Sequence, residues 1–136
     1  MAILGFKKRF VDPIRKRTKI QTIRGFRKYP IVEGEHLYLY TGLRTKHSEK
    51  IGEAQCMNTN VVRLSESSVT LQFAGYDHHF SDTRRLNRFA VKDGFKNWDA
   101  LVTFWKDEHG PNCFPFTGTI IYFKLLPKSY WATKVS

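Results

Sequence analysis

The alternation of apolar and polar residues predicts a protein built largely from short strands. Between residues 37 and 40, Leu37 and Leu39 fall on one face of an extended chain, and Tyr38 and Tyr40 fall on the other. Gly34 lies before this segment and predicts a turn into it. Further strands are expected from the same kind of pattern in these segments: 2–6, 19–24, 50–73 (two or three strands) and 117–126.

The segments 50–73 and 117–126 allow more specific predictions. Ser65 to Ser68 predicts a turn within 50–73, and Val69, Leu71 and Phe73 after it are expected to face the core. The run TGTIIYFKLL is continuously apolar, which is typical of a central strand that closes a sheet.

Two segments are expected to be helical. In VDPIRKR, Asp12 is the candidate N-cap and Pro13 the first helical residue. In FKNWDALVTFWKDEHG, Asn97 can cap the helix and Gly110 can end it. Four residues of this second helix form one apolar stripe for the core: Trp98, Leu101, Val102 and Trp105.

The pattern therefore predicts a small α+β domain over residues 1–136. Its sheet is expected to be a curled mixed sheet or barrel, with one short N-terminal helix and one longer helix before the last strands. At 41% hydrophobic and 15% aromatic residues, the chain can close one core.

The charge is concentrated at the N-terminus. Of the formal net charge of +11, residues 1–30 carry +9, from ten Lys and Arg residues against the single acid Asp12. Such clustering favours a polyanionic or nucleotide-like partner, although a basic face that only keeps the protein in solution is the alternative.

Other classes of protein find no support in the sequence. No run approaches the roughly 18 apolar residues of a membrane span, and the basic residues follow the first apolar patch, an order opposite to that of a secretory signal. Cys56 and Cys113 do not form a disulfide framework. We therefore expect a reduced, cytoplasmic protein without membrane contact; its oligomeric state stays open.

Several motifs together resemble the ASCH family of the PUA-like superfamily, over about Ile3 to Leu126. They are Lys19-x-x-Thr22-x-Arg24, the turn at Gly34 with the strand after it, Ile51-Gly52, and Asp93-Gly94-Phe95, taken as the entry to a helix. The resemblance implies a small pseudo-barrel with a cleft beside its first helix. It also implies RNA or a modified nucleoside as the partner and no cofactor.

The family includes small bacterial amidohydrolases that act on N4-acetylcytidine and use a lysine, a threonine three residues later and a downstream glutamate. The resemblance implies catalytic roles for Lys19, Thr22 and Asp93, with the aspartate one methylene shorter than the family's glutamate. A strict strand would point Lys19 and Thr22 to opposite faces, so Lys19 is expected at a bend before the strand. There, a lysine of lowered pKa can activate the threonine hydroxyl as a nucleophile.

Three functions stay open: a binding module, an N4-acetylcytidine amidohydrolase and a single-strand-specific ribonuclease, the last with Asp77 and His78 as candidate acid and base. In the binding module, Lys19 is one more phosphate contact and Thr22 an ordinary strand residue. Adjacent His78 and His79 point to opposite faces, and His109 and Cys113 lack a paired second half, so no metal site is expected. The candidate ligand-binding residues are Arg17, Lys19, Gln21, Arg24, Tyr40, Arg44 and Arg85, with Gly42 and Thr45 beside Arg44.

Overall fold

The computed structural model describes residues 1–131, so the end of the predicted 1–136 domain lies outside the described residues. The strands and helices follow one another in this order: β1 (Ala2–Phe6), α1 (Val11–Arg15), β2 (Gln21–Arg24), β3 (His36–Thr41), β4 (Glu49–Leu64), β5 (Val69–Phe73), β6 (Tyr76–Phe80), α2 (Thr83–Lys92), α3 (Trp98–His109) and β7 (Phe116–Leu125). Two 3-10 turns, Lys8–Phe10 and Lys128–Tyr130, complete the described elements.

The long strand β4 organises the sheet. Its first half pairs with β3 and its second half with β5 along the same edge, while β7 pairs along the other edge. β1 joins β3 in parallel, and the remaining neighbours are antiparallel. Register shifts between Leu39 and Tyr40, and between Cys56 and Asn58, are bulges that bend the paired strands. The result is the curled mixed sheet that the sequence predicts.

Strands β1 and β2, two of the edge strands of the curled sheet, meet without a ladder of hydrogen bonds in the described chain. A side chain spans this seam instead, because Arg24 of β2 donates from its guanidinium to the carbonyl oxygen of Gly5 in β1 at 2.7 Å. The seam therefore leaves an opening in the barrel wall, and the candidate site lies there.

The core follows the predicted faces. Leu37 and Leu39 are fully buried, whereas Tyr38 and Tyr40 are half-buried. Three members of the α3 stripe are buried, and Val102 is partly buried against the same core, which confirms this helix with its Asn97 cap. The turn at Ser65 to Ser68 is confirmed by a backbone hydrogen bond between these two residues. The central position of β7 between β2 and β4 is also confirmed.

Several local predictions were wrong. The N-cap of α1 is Phe10, and Asp12 lies inside the first turn, so Pro13 is not the first helical residue. Asp93 does not begin a helix: it follows the last residue of α2, and Gly94 after it adopts φ +96°. A carboxylate at this helix end faces the negative pole of the helix dipole, the opposite of the electrostatics that helix entry would provide.

Helix α2 and strand β6 were not predicted. Asp82 caps α2 by accepting a hydrogen bond from the Arg85 N–H, and Leu86, Phe89 and Ala90 form its buried stripe. This cap and this spacing were visible in the sequence, although three arginines dominate the segment. Among residues 1–131, no helix has the length and apolar character needed to cross a membrane.

Candidate functional site

A cleft of about 490 Å³ opens at the seam between β1 and β2. One wall comes from the end of β1, the segment Lys19 to Gly25 and the residues that follow α2; the other comes from α3 and the start of β7. Its charged lining side chains are Lys7, Lys19, Arg24, Asp93 and Glu108. The cleft thus mixes both signs of charge and is far less cationic than the N-terminal segment as a whole.

The segment before β2 passes the C-terminal end of α2 and satisfies its last carbonyl groups. The Lys19 ammonium donates to the carbonyl oxygen of Asp93 at 2.5 Å, the Ile20 N–H donates to that of Lys92 at 2.9 Å, and the Gln21 amide donates to that of Phe89 at 3.5 Å. Helix ends need such partners because their last carbonyl groups have none within the helix. The Phe89 carbonyl is shared, since it also accepts a hydrogen bond from the Asp93 N–H at 3.2 Å. Lys19 therefore lies at the bend that the sequence predicts, before the first residue of β2.

The carboxylate of Asp93 is held by the same segment. Its Oδ1 atom lies 3.8 Å from Lys19 Nζ and accepts a hydrogen bond from the Gln21 amide at 3.4 Å. The side chains of Lys19 and Asp93 are only 3% and 6% exposed, so the ion pair is buried. Lys19 Nζ also lies 4.7 Å from the ring centroid of Phe10, which contributes a favourable cation–π contact.

Burial shifts both charges toward their neutral forms. The pKa of Lys19 is lowered to about 8, chiefly because burial removes water from the ammonium; Asp93 opposes this shift, and the charge of Arg24 adds to it. The pKa of Asp93 is raised to about 6, again chiefly by burial, while Lys19, Gln21 and Arg24 oppose the shift. Burial also lowers the pKa of Arg24 to about 10.

Thr22 and Arg24 lie on the same face of β2 and both line the cleft. Arg24 Nε donates a hydrogen bond to Thr22 Oγ1 at 3.0 Å, and its guanidinium lies 4.7 Å from the ring centroid of Phe6. The threonine oxygen therefore faces a cation, which would stabilise negative charge on that oxygen. Arg24 is thus the hydrogen-bond partner of Thr22.

The opposite wall was missed in the sequence. Trp105, Glu108 and His109 follow one another at helical spacing on a single face of α3, and Phe104, Cys113 and Phe116 extend the wall. The sequence did contain a signal for this wall, because Glu108 and His109 lie at i+3 and i+4 from Trp105 and so continue the same helix face with polar residues. Across the rim, Glu108 forms an ion pair with Lys7 at 3.2 Å.

The structure brings Lys19, Thr22, Arg24 and Asp93 together in the lining of the cleft. Gln21 is not part of this lining but donates a hydrogen bond to Asp93. The other candidate ligand-binding residues lie outside this lining. Arg17 donates to the carbonyl oxygen of Leu125 at 2.5 Å, and Arg85 pairs with Asp82 at 2.7 Å. Tyr40 belongs to β3, and Arg44 lies in the exposed loop after it.

The histidines do not assemble a metal site: within residues 1–131, no group of three or more His, Cys, Asp or Glu side chains could hold an ion. Asp77 and His78 are exposed on β6 and do not line the cleft. His79 accepts or donates a hydrogen bond with Thr70 at 2.9 Å. Cys56 and Cys113 are both free thiols.

Comparison of the chain with models of protein families, with curated proteins and with solved structures found no match.

Proposed function

We propose that this protein is an ASCH-type domain that binds a modified nucleoside, free or within RNA, in the cleft at the β1–β2 seam. The observation that carries the proposal is that polar and aromatic side chains line one cleft. Lys19, Thr22, Arg24 and Asp93 offer polar groups, and Phe104, Trp105 and Phe116 offer aromatic surface from α3 and β7. The volume of about 490 Å³ lies in the usual range for small-molecule sites.

The charge balance favours a base over a phosphate as the group inside the cleft. Two carboxylates, Asp93 and Glu108, line it beside three cations, and Lys19 is already engaged by Asp93. A phosphate would face these acids, whereas a nucleobase can stack on the aromatic wall and bond through its polar edge. Arg24 uses two of its five N–H donors on Thr22 and Gly5, and the remaining donors can serve a carbonyl group of that base.

Calorimetric titration with N4-acetylcytidine and with cytidine tests binding. Arg24→Met is expected to weaken binding of the acetylated nucleoside at least about tenfold, because a hydrogen bond to a charged group contributes about 1.5–3 kcal/mol. Arg63→Met removes an exposed arginine of β4 and is the matched control, with unchanged affinity expected. The absence of binding by the wild-type protein at millimolar nucleoside would overturn the proposal.

Hydrolysis of the acyl group is the second candidate, and it is supported by the lowered pKa of Lys19 in a cleft that Thr22 also lines. Neutral Lys19 would take the hydroxyl proton as Thr22 Oγ1 attacks the acyl carbon. The C–N bond would then break, and the leaving amine would take up the proton, with Asp93 assisting its transfer. Water would cleave the acyl-threonine ester, releasing acetate and restoring the hydroxyl.

Chromatography of N4-acetylcytidine incubated with the protein separates catalysis from binding. Thr22→Val is expected to abolish release of cytidine and acetate, whereas Thr117→Val, at an exposed position of β7, is expected to retain it. No product from the wild-type protein, with binding intact, would leave the binding module as the function. Cleavage of labelled single-stranded RNA that depends on His78 would favour the ribonuclease instead.

A further inference from the structure

A second groove, of about 560 Å³, lies between the loop after β2 and the hairpin of β5 and β6. Two aromatic side chains line it while remaining open to solvent: Phe26 is 65% exposed and Tyr76 is 66% exposed. Burial of such rings is normally favourable, so two of them beside one groove indicate a surface that a partner covers.

The hairpin turn fixes the position of Tyr76. Phe73 and Tyr76 pair across a two-residue loop, in which Ala74 has φ +41° and Gly75 has φ +89°. Two consecutive left-handed residues form the tight turn that suits the twist of a hairpin. Tyr76 is therefore held by a strand rather than by a loose loop.

Two polar residues line the groove with the rings, and two basic residues follow Phe26 in the sequence. Gln72 and Asp77 face each other across β5 and β6, are exposed, and offer donors and acceptors to the edge of a base. Arg27 and Lys28 directly follow Phe26 and are exposed, and Lys28 Nζ lies 5.6 Å from the ring centroid of Tyr29. Proteins usually bind single-stranded nucleic acid with exposed aromatic rings that stack on the bases and with cationic side chains that contact the phosphate backbone.

The groove lies next to the cleft. A small cavity of about 50 Å³ shares Arg24 and Gly25 with the cleft, and shares Phe26, Pro30, Ile31 and Thr119 with the groove. The segment from Arg24 to Phe26 thus forms part of the wall of both sites. Two residues of extended chain span at most about 7 Å, a distance that adjacent nucleotides of one strand can bridge.

We infer that the groove binds the neighbouring nucleotide of a single-stranded RNA whose modified base occupies the cleft. This inference rests on the proposed function and names its substrate class as a nucleoside within a strand rather than a free one. The flanking base stacks on Phe26 and Tyr76, and Arg27 contacts the backbone phosphate. Duplex RNA does not fit, because its bases stay stacked on one another.

The affinity of a fluorescein-labelled octacytidylate RNA with one central N4-acetylcytidine tests the inference, with free N4-acetylcytidine titrated in parallel. Tyr76→Ala and Phe26→Ala are expected to weaken RNA binding about 5- to 150-fold, the usual effect of removing one stacking ring, without changing nucleoside affinity. Tyr130→Ala removes a ring that is 71% exposed outside the groove and is the control. Arg27→Gln is expected to reduce the slope of log affinity against log salt by about 0.7.

The outcomes separate the two proposals. The inference would be overturned by unchanged RNA affinity in both aromatic variants or by an equal loss in Tyr130→Ala. It would also be overturned if the labelled RNA bound equally well after pairing with a complementary strand. Loss of RNA affinity in Tyr76→Ala without any binding of the free nucleoside by the wild-type protein would support the groove as an RNA site and overturn the cleft proposal. Thermal denaturation confirms that each variant is folded.

Discussion

Lys19 Nζ donates a hydrogen bond to the backbone carbonyl oxygen of Asp93 at 2.5 Å and lies 3.8 Å from the carboxylate oxygen of the same residue. One ammonium thus serves as the cap of α2 and as the counter-ion of a buried acid. The arrangement connects the stability of a helix end to the charge state of the candidate site, so changes to either residue have consequences for both.

Lys19→Met is expected to destabilise the protein by about 3–5 kcal/mol at pH 8, because it leaves the ionised Asp93 buried without its ammonium counter-ion. At pH 5 the loss is expected to be smaller, since Asp93, with its pKa already raised to about 6, binds a proton there. Urea denaturation at both pH values measures the difference. Lys124→Met, at an exposed position of β7, is the control, and equal losses at the two pH values would contradict the prediction.

The buried pair also predicts two opposite slopes of stability against pH. Because the folded pKa of Asp93 is raised to about 6 from 3.8, the folded state binds the extra proton and the free energy of unfolding falls as pH rises from about 4 to 6. Because the folded pKa of Lys19 is lowered to about 8 from 10.5, the unfolded state binds the extra proton and the free energy of unfolding rises between about pH 8 and 10.5.

The double variant Lys19→Met/Asp93→Asn carries neither group and is expected to lose both slopes. The free energy of unfolding of this variant is measured at each pH and subtracted from that of the wild-type protein. The subtraction removes the contribution of the other titrating groups. A difference curve that is flat over both ranges would contradict the buried pair as the cause.

Gly94→Ala is expected to cost about 1–3 kcal/mol and to displace Lys19. Gly94 has φ +96°, and a Cβ atom there would lie 2.9 Å from Lys19 Cδ and 3.0 Å from Phe10 Cδ1. Gly110 has the same φ with nothing within 4 Å of such an atom, so Gly110→Ala measures the backbone cost alone. The excess loss in Gly94→Ala reports the contacts with Lys19 and Phe10, and equal losses in the two variants would argue against them.

Ala74→Asn is expected to stabilise the protein by up to about 1 kcal/mol, because asparagine tolerates the left-handed conformation that Ala74 adopts at φ +41°. Ala74→Val is expected to have the opposite effect, since a branched side chain is disfavoured there. Thermal denaturation of the two variants measures both effects. A destabilised Ala74→Asn variant would show that the turn does not carry this strain.

The sequence by itself determined the local elements whose patterns are strong. Leu37 and Leu39 share one face of a strand, and the α3 stripe forms one face of a helix. Each face is apolar and is buried because its exposure to water is unfavourable. The position of Lys19 before β2 could also be predicted from the sequence, since a regular strand would not place Lys19 and Thr22 on the same face. Helix α2 was missed because its charges obscured a three-residue apolar stripe.

Only the tertiary structure decided how the site is assembled. Asp93 lies 74 residues after Lys19, and the two meet because the segment before β2 passes the end of α2. The aromatic wall depends on how α3 packs across the seam between β1 and β2, which no local periodicity encodes. Burial, and with it the shifted pKa values of Lys19 and Asp93, likewise arises only when distant segments remove water from both charges.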